Sequence, residues 1–291
     1  MSNGKNDSLM KISPSHSIGV IGGNGRTGLQ FKKLFQAAGF KVQSTGSKTK
    51  RKNRDLIRDC DIVIFSVPLV NAAEIIRTEL KNARRKDQLL LDLSSLKVRE
   101  VKAMLRAKGE VIGMHPLFGP TTDSKGETII LCPGRALPET QRSLVTLLRR
   151  MGLRTVVMTP KEHDRLMAVV QVIPHLKSLL MAEVLKGLKV DFKKVLATCT
   201  PTYELEFNVI GRFLDDHSGL YMPIIFRNPD TRKVLAILRK TIARFEAIAS
   251  RQDLKTAENR YAACKSFFTP HLKRARDHSE ACIHTLISLT R

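Results

Sequence analysis

Seven residues near the amino terminus, Gly22-Gly23-Asn24-Gly25-Arg26-Thr27-Gly28, restrict this chain more than any other stretch. They follow Ser17-Ile18-Gly19-Val20-Ile21, which reads as a buried first strand. They precede an amphipathic segment with Phe31, Leu34 and Phe35 on one face and a stop at Gly39. Glycines between a strand and a helix let the chain turn tightly and bring its backbone close to a ligand. The helix that opens there aims its unpaired N–H groups and the positive end of its dipole at the turn, which suits a pyrophosphate. Gly23, Gly25 and Gly28 have G-x-G-x-x-G spacing, so Gly23, Asn24, Gly25, Arg26, Thr27 and Gly28 are expected to cradle a dinucleotide. The alternative is a glycine-rich turn in an α/β domain that holds no ligand.

Strands and helices alternate beyond this turn. Further strands are expected at 40–45, 61–68, 88–97, 110–112, 128–132 and 154–158, with helices at about 70–81 and 138–151. Ser66, Val67 and Pro68 end the third strand and would border the cofactor, Pro68 closing the ladder. After the second strand an acidic residue usually marks a preference for NAD. Here the chain runs Thr45-Gly46-Ser47-Lys48-Thr49-Lys50-Arg51-Lys52, without a carboxylate. Ser47 and Lys48 with their cationic neighbours suit a 2′-phosphate, so NADP is preferred to NAD; the alternative is a charged surface loop. Ser94 and Ser95 stand before a helix, either capping it or pointing at the ligand.

The alternation ends at Thr159-Pro160, a sound helix start, and the remainder is helical. The expected organisation is a flexible start at 1–16, an α/β dinucleotide-binding domain of Rossmann type at 17–159, and an all-α domain at 160–291. Val234, Leu235, Ile237, Leu238, Ile242 and Phe245 recur at helical spacing, which marks a core or subunit-contact face.

Composition narrows the function. The net charge of +23 raises the question of nucleic acid or anionic membranes. The cations are dispersed, however, aromatic residues make up 5% and tryptophan is absent, so stacking platforms for single strands are not evident. A basic surface that attracts anionic small molecules is preferred, with no nucleic-acid and no membrane partner. No apolar run approaches the length needed to span a bilayer, and the first residues lack a secretory or transit pattern. Five widely separated cysteines, with no CxxC pair, give neither a zinc site nor a disulfide framework, and no metal is expected. A reducing cytoplasm fits.

The stretch Gly113-Met114-His115-Pro116-Leu117-Phe118-Gly119-Pro120 carries the chemistry. It follows the short run Glu110-Val111-Ile112, and in an open α/β sheet ligands sit beyond the carboxyl ends of the strands. The two prolines and Gly119 stiffen and bend the segment, so His115 is expected on a rigid loop, able to hold or move a proton. The alternative is a histidine that merely closes a turn.

GGNGRTG (22–28), FSVP (65–68), LLDLSSLK (90–97), GMHPLFGP (113–120), EHDRLMAVVQVIPH (162–175) and YELEFNVIGRF (203–213) together resemble the prephenate/arogenate dehydrogenases of tyrosine biosynthesis, over nearly the whole chain from about Ser17. Nothing resembles the chorismate mutase segment that some members carry ahead of this domain. The resemblance implies oxidation of a ring alcohol with loss of carbon dioxide, prephenate giving 4-hydroxyphenylpyruvate and hydride passing to the nicotinamide. It implies that His115 accepts the hydroxyl proton and that Ser95 helps hold the same hydroxyl. It further implies that Arg212 grips a substrate carboxylate, that His175 lines the pocket, and that the helical domain binds substrate and pairs with a twin in a homodimer. Glu204 stands where some relatives have an arginine, and Pro223 where some have an acid. A carboxylate at 204 would favour a substrate carrying an amine, so arogenate or an amino-substituted prephenate is the second choice. Another NADP-dependent reductase on the same two-domain plan is the further alternative; such enzymes favour a lysine on the first long helix of the second domain, and none is well placed before Lys177.

Overall fold

A computed structural model describes residues 11–119, 123–215 and 218–290. Most of the expected flexible start, Pro120 of the histidine motif, and Asp216 and His217 lie outside the described residues. The chain forms two compact units, the first ending at Met167 and the second beginning at Ala168.

The first unit runs β1 (Ser17–Ile21), α1 (Arg26–Ala37), β2 (Lys41–Thr45), α2 (Asn53–Asp59), β3 (Ile62–Phe65), α3 (Ala72–Glu79), β4 (Leu89–Asp92), α4 (Val98–Met104), β5 (Glu110–Pro116), β6 (Thr128–Arg135), α5 (Pro138–Arg150), β7 (Arg154–Val157) and α6 (Pro160–Met167). Its sheet has the order β2-β1-β3-β4-β5-β6-β7. Strands β1 to β5 are parallel, β6 is antiparallel to β5, and β7 is parallel to β6. Both faces of the inner strands are covered, which is why β3 and β4 read as unbroken apolar runs. Side chains alternate between two core layers. Ile18, Val20, Ile62, Ile64, Leu89 and Leu91 pack with Phe31 and Phe35 on one face, and Val63, Phe65 and Leu90 with Leu56, Ile76 and Met104 on the other.

The chain reverses direction across the sheet between β1 and β3, and such a switch point is where open α/β sheets bind ligands. In register, Ile21 of β1 faces Phe65 of β3, Phe65 faces Asp92 of β4, and Asp92 faces Gly113 of β5. The glycine turn, Ser66–Pro68, Ser94–Ser95 and His115 therefore all lie along one edge of the sheet.

One expectation is corrected in this unit. Strand β5 does not stop at Ile112 but continues to Pro116, so His115 is a strand residue rather than the tip of a loop. The ladder with β6, which pairs Met114 with Leu131, His115 with Ile130 and Pro116 with Ile129, holds the strand through the glycine and proline that read as breakers. Helix α6 packs onto α4 and β6, which groups it with the first compact unit.

The second unit holds a π-helical turn (Ala168–Val172), α7 (Ile173–Gly187), α8 (Phe192–Thr198), α9 (Pro201–Asp215), α10 (Ser218–Arg227), α11 (Thr231–Arg251), α12 (Leu254–Phe268) and α13 (Leu272–Thr290). The wide turn precedes Pro174, whose missing N–H is tolerated in the first turn of α7. The core cluster is small: Val172, Leu176, Phe213 and Ile225, with Tyr221, Met222, Val234 and Leu238 packed beside them. The apolar face of α11 is thus divided. Val234 and Leu238 turn inward, whereas Ile237, Ile242 and Phe245 are 57%, 57% and 51% exposed. Helices α12 and α13 bury no residue among those described.

The expectation about bilayer-spanning runs is also amended. The helical stretch Pro160–Gly187 is long and apolar enough to cross a membrane, with mean hydropathy 1.4 over its most apolar 18 residues. Gln171, His175 and Lys177 interrupt the apolar run in the sequence but leave the helix's average high.

Candidate active site

The glycine turn is built by close backbone packing. Gly22 has φ +80°, and a Cβ there would lie 2.1 Å from the Ser66 carbonyl oxygen. A Cβ on Gly28 would lie 2.5 Å from the Gly22 carbonyl oxygen, and one on Gly23 2.5 Å from the Ser44 Cβ. The turn is thereby pressed against the ends of β2 and β3. Gly25 is the N-cap of α1 and has no side chain with which to block the helix terminus, and no acidic residue stands in the first turn. These features fit the phosphates of a dinucleotide.

Beyond β2, a cavity of about 370 Å³ is lined by Gly46, Ser47, Thr49, Arg51, Lys52, Asn53, Arg54 and Glu79. The expected Ser47 belongs to it; Lys48 does not line it. Thr49 Oγ1 accepts from the Gly46 amide at 3.1 Å and closes the turn. Arg51 also pairs with Asp59 at 2.8 Å, and Asn53 donates to Glu79 at 2.8 Å. Three cations against one carboxylate leave the lining positive.

At the carboxyl ends of β4 and β5 lies a buried polar cluster that sequence reading largely missed. His115 is 2% exposed. Its Nδ1 lies 2.8 Å from Nε2 of His163, and Nδ1 of His163 lies 2.8 Å from Oδ1 of Asp164. Burial pushes the His115 imidazole well below its ordinary range, and the neighbouring His163 and Lys97 push the same way. Burial also lowers His163, against the opposing hydrogen bond to Asp164. His115 is therefore a neutral ring near pH 7, competent to take a proton.

Neither Ser94 nor Ser95 caps α4, contrary to one reading of that segment. The Ser94 hydroxyl and amide both donate to Asp92, and the first amides of α4 are capped instead by Asp164 of α6. Lys97, wholly buried, donates to Asp92 at 2.5 Å and to the Met114 carbonyl at 2.8 Å. Gly113 leaves the space for that stem: a Cβ there would sit 2.9 Å from the Lys97 Cδ. Ser95 is half-buried at the same end of β4.

Within the second unit, half-buried His175 stacks on Phe213 at 5.8 Å between centroids and meets Tyr221 at 4.6 Å. Burial lowers its pKa. Arg212, next to Phe213 on α9, is exposed, and Glu204 is half-buried near the start of the same helix. Pro223 falls inside α10. Among the described residues no group of three or more His, Cys, Asp or Glu side chains is placed to hold a metal ion.

Comparison with known proteins gives consistent matches. Residues 36–157 match the family model described as prephenate dehydrogenase, nucleotide-binding domain, and residues 159–259 match prephenate dehydrogenase, dimerization domain. The T-protein of Enterobacter agglomerans is 30% identical over 260 residues, covering 88% of this chain and 68% of that protein. A probable arogenate/prephenate dehydrogenase of Methanocaldococcus jannaschii is 28% identical over 292 residues, covering 94% of this chain and 65% of that protein. The chain thus spans about two thirds of the length of these relatives. Among solved structures, the fold is similar to prephenate dehydrogenase from A. aeolicus in complex with hydroxyphenyl propionate and NAD+ (TM-score 0.67, 19% identity, 94% of this chain and 100% of that one). It is equally similar to Synechocystis arogenate dehydrogenase (TM-score 0.67, 15% identity, 90% and 99%).

Proposed function

Because the chain belongs to the prephenate dehydrogenase family, we propose that it catalyses the oxidative decarboxylation of prephenate to 4-hydroxyphenylpyruvate with a nicotinamide cofactor. The observation that carries this reading is His115: a buried, neutral imidazole at the end of β5, on the sheet edge that also carries the glycine turn. The cofactor, held by the turn at 22–28 and by Ser66–Pro68, supplies a hydride acceptor. His115 takes the proton of the ring hydroxyl as the hydride leaves the same carbon. The carbon–carbon bond to the ring carboxylate then breaks, carbon dioxide departs, and its electron pair makes the ring aromatic. The phenolate oxygen recovers the proton from His115, so protons balance. Ser95 holds the hydroxyl beside His115. Arg212 offers a fork of N–H donors for a substrate carboxylate, and His175 contacts the substrate.

NADP is the preferred cofactor. The cavity beyond β2, with Ser47, Thr49, Arg51, Lys52 and Arg54, suits a 2′-phosphate better than a bare ribose. Lys48, within the same loop, adds positive charge without lining the cavity. The protein acts as a homodimer through its second unit, whose exposed Ile237, Ile242, Phe245 and Phe267 are more apolar surface than a small core warrants. The five thiols are free, in keeping with a cytoplasmic enzyme.

Arogenate is the second reading. Glu204 favours it, since a carboxylate attracts an amine and repels a second acid. The test is His115→Asn, assayed with cofactor and substrate. Turnover should fall by about 10²–10⁴-fold with cofactor affinity nearly intact. Unchanged turnover would remove the assignment.

A further inference from the structure

We propose that Asp164 and His163 form a hydrogen-bonded relay that holds His115 as its Nδ1–H tautomer, so that Nε2 carries the lone pair offered to the substrate hydroxyl. This rests on the reading of His115 as the base. Asp164 anchors the relay, because its two carboxylate oxygens accept the backbone N–H groups of Lys97 at 2.8 Å and Val98 at 3.0 Å. Oxygens that accept from amides present lone pairs to any further neighbour. The 2.8 Å contact between Asp164 Oδ1 and His163 Nδ1 is then made with the ring N–H donating.

A neutral imidazole has one N–H, so His163 Nε2 is left as an acceptor. The 2.8 Å contact from His115 Nδ1 to that nitrogen is then a donation from His115, and His115 Nε2 has no hydrogen of its own. The reverse arrangement would set the lone pair of His163 Nδ1 against a carboxylate oxygen. The competing arrangement, a charged His163 ring between the two, is disfavoured by the full burial of that residue.

His163 and Asp164 are positioning residues: they act through His115 and touch no reacting atom. The proton leaves the substrate oxygen, resides on His115 Nε2 and returns to the product oxygen, while His163 stays neutral. The relay also couples the base to the scaffold. The same carboxylate caps α4, so the start of that helix, α6 and the end of β5 share one set of hydrogen bonds.

The direct test is ¹⁵N NMR of the full chain labelled at histidine, with His115→Asn identifying the His115 resonances. The expected spectrum has His115 protonated at Nδ1 and bare at Nε2. An Nε2–H tautomer for His115, or a doubly protonated His163, overturns the relay. Kinetics supply the second arm. His163→Leu should lower kcat by roughly 10²- to 10⁴-fold with KM within about threefold, the upper figure being the loss a wrong tautomer causes in a buried imidazole–carboxylate pair. His163→Gln, whose amide oxygen can accept from His115, should recover to within about tenfold of the parent. Equal losses in the two variants, or no loss in either, count against the relay. Full activity in His115→Asn would instead defeat the underlying assignment of the base, so the two failures are distinguishable.

Discussion

In the proposed reaction His115 works only as an unprotonated base, and its burial sets the pH at which that holds. An exposed histidine titrates near 6.5, whereas this ring is held well below that value. The acid limb of the kcat profile should therefore fall below pH 6.5, and a limb at or above 6.5 would show that another group controls the rate. Stability follows the same logic. Unfolded, His115 and His163 bind protons near pH 6.5; folded, both resist them. Their contribution is fully present above that pH and is lost as the pH drops through the lowered values.

Glu100 behaves oppositely. Burial first, then the Asp92 charge, raises it from 4.5 to about 7, and its Oε2 lacks a hydrogen-bond partner among the described residues. Its contribution is fully present below pH 4.5 and is lost as pH rises through about 7. Glu100→Gln should thus melt a few degrees above the parent at pH 8 and level with it at pH 5, as read by thermal denaturation at both pH values. At this scale His115 was legible because glycine and proline flank it at a strand end. His163 was not: one histidine in a helical pattern gives no sign of a partner 48 residues away.

Among the elements, the strand–turn–helix at 17–37 was fully legible, since its glycines have a backbone reason to be there. Gly22→Ala would force a left-handed conformation on a residue whose Cβ meets the Ser66 carbonyl. We expect cofactor affinity to fall at least tenfold in a fluorescence titration, about 1.4 kcal/mol or more. Normal affinity would mean that the turn does not cradle the phosphates. The loop after β2 makes a separate prediction. Arg51→Ala with Arg54→Ala should raise KM for NADP by about tenfold or more and leave KM for NAD within about twofold, since only a 2′-phosphate feels those cations. The end of β5 was misread as a loop because the strand depends on β6, a partner whose register no local pattern announces. One of the two readings of Ser94 and Ser95 made them the cap of α4 for the same reason: the true cap, Asp164, is remote in sequence.

At the scale of the molecule, the second unit has long amphipathic helices around a small core, and Phe267 is 80% exposed. Ile237→Glu with Phe245→Glu, read by light scattering after size exclusion, should turn a dimer into a monomer; an unchanged mass would place the interface elsewhere on the chain. Helical periodicity made that apolar face visible in the sequence, but not the division of α11 between inward and outward residues, which depends on where α11 packs. Substrate choice is the property least legible in the sequence, because the second reading proposed above, arogenate, rests on a single residue, Glu204. The most direct test of the account is absorbance at 340 nm with prephenate and with arogenate, each offered NADP and NAD. The account predicts reduced cofactor with prephenate, faster with NADP, in step with carbon dioxide release. Absence of cofactor reduction in all four mixtures would contradict it.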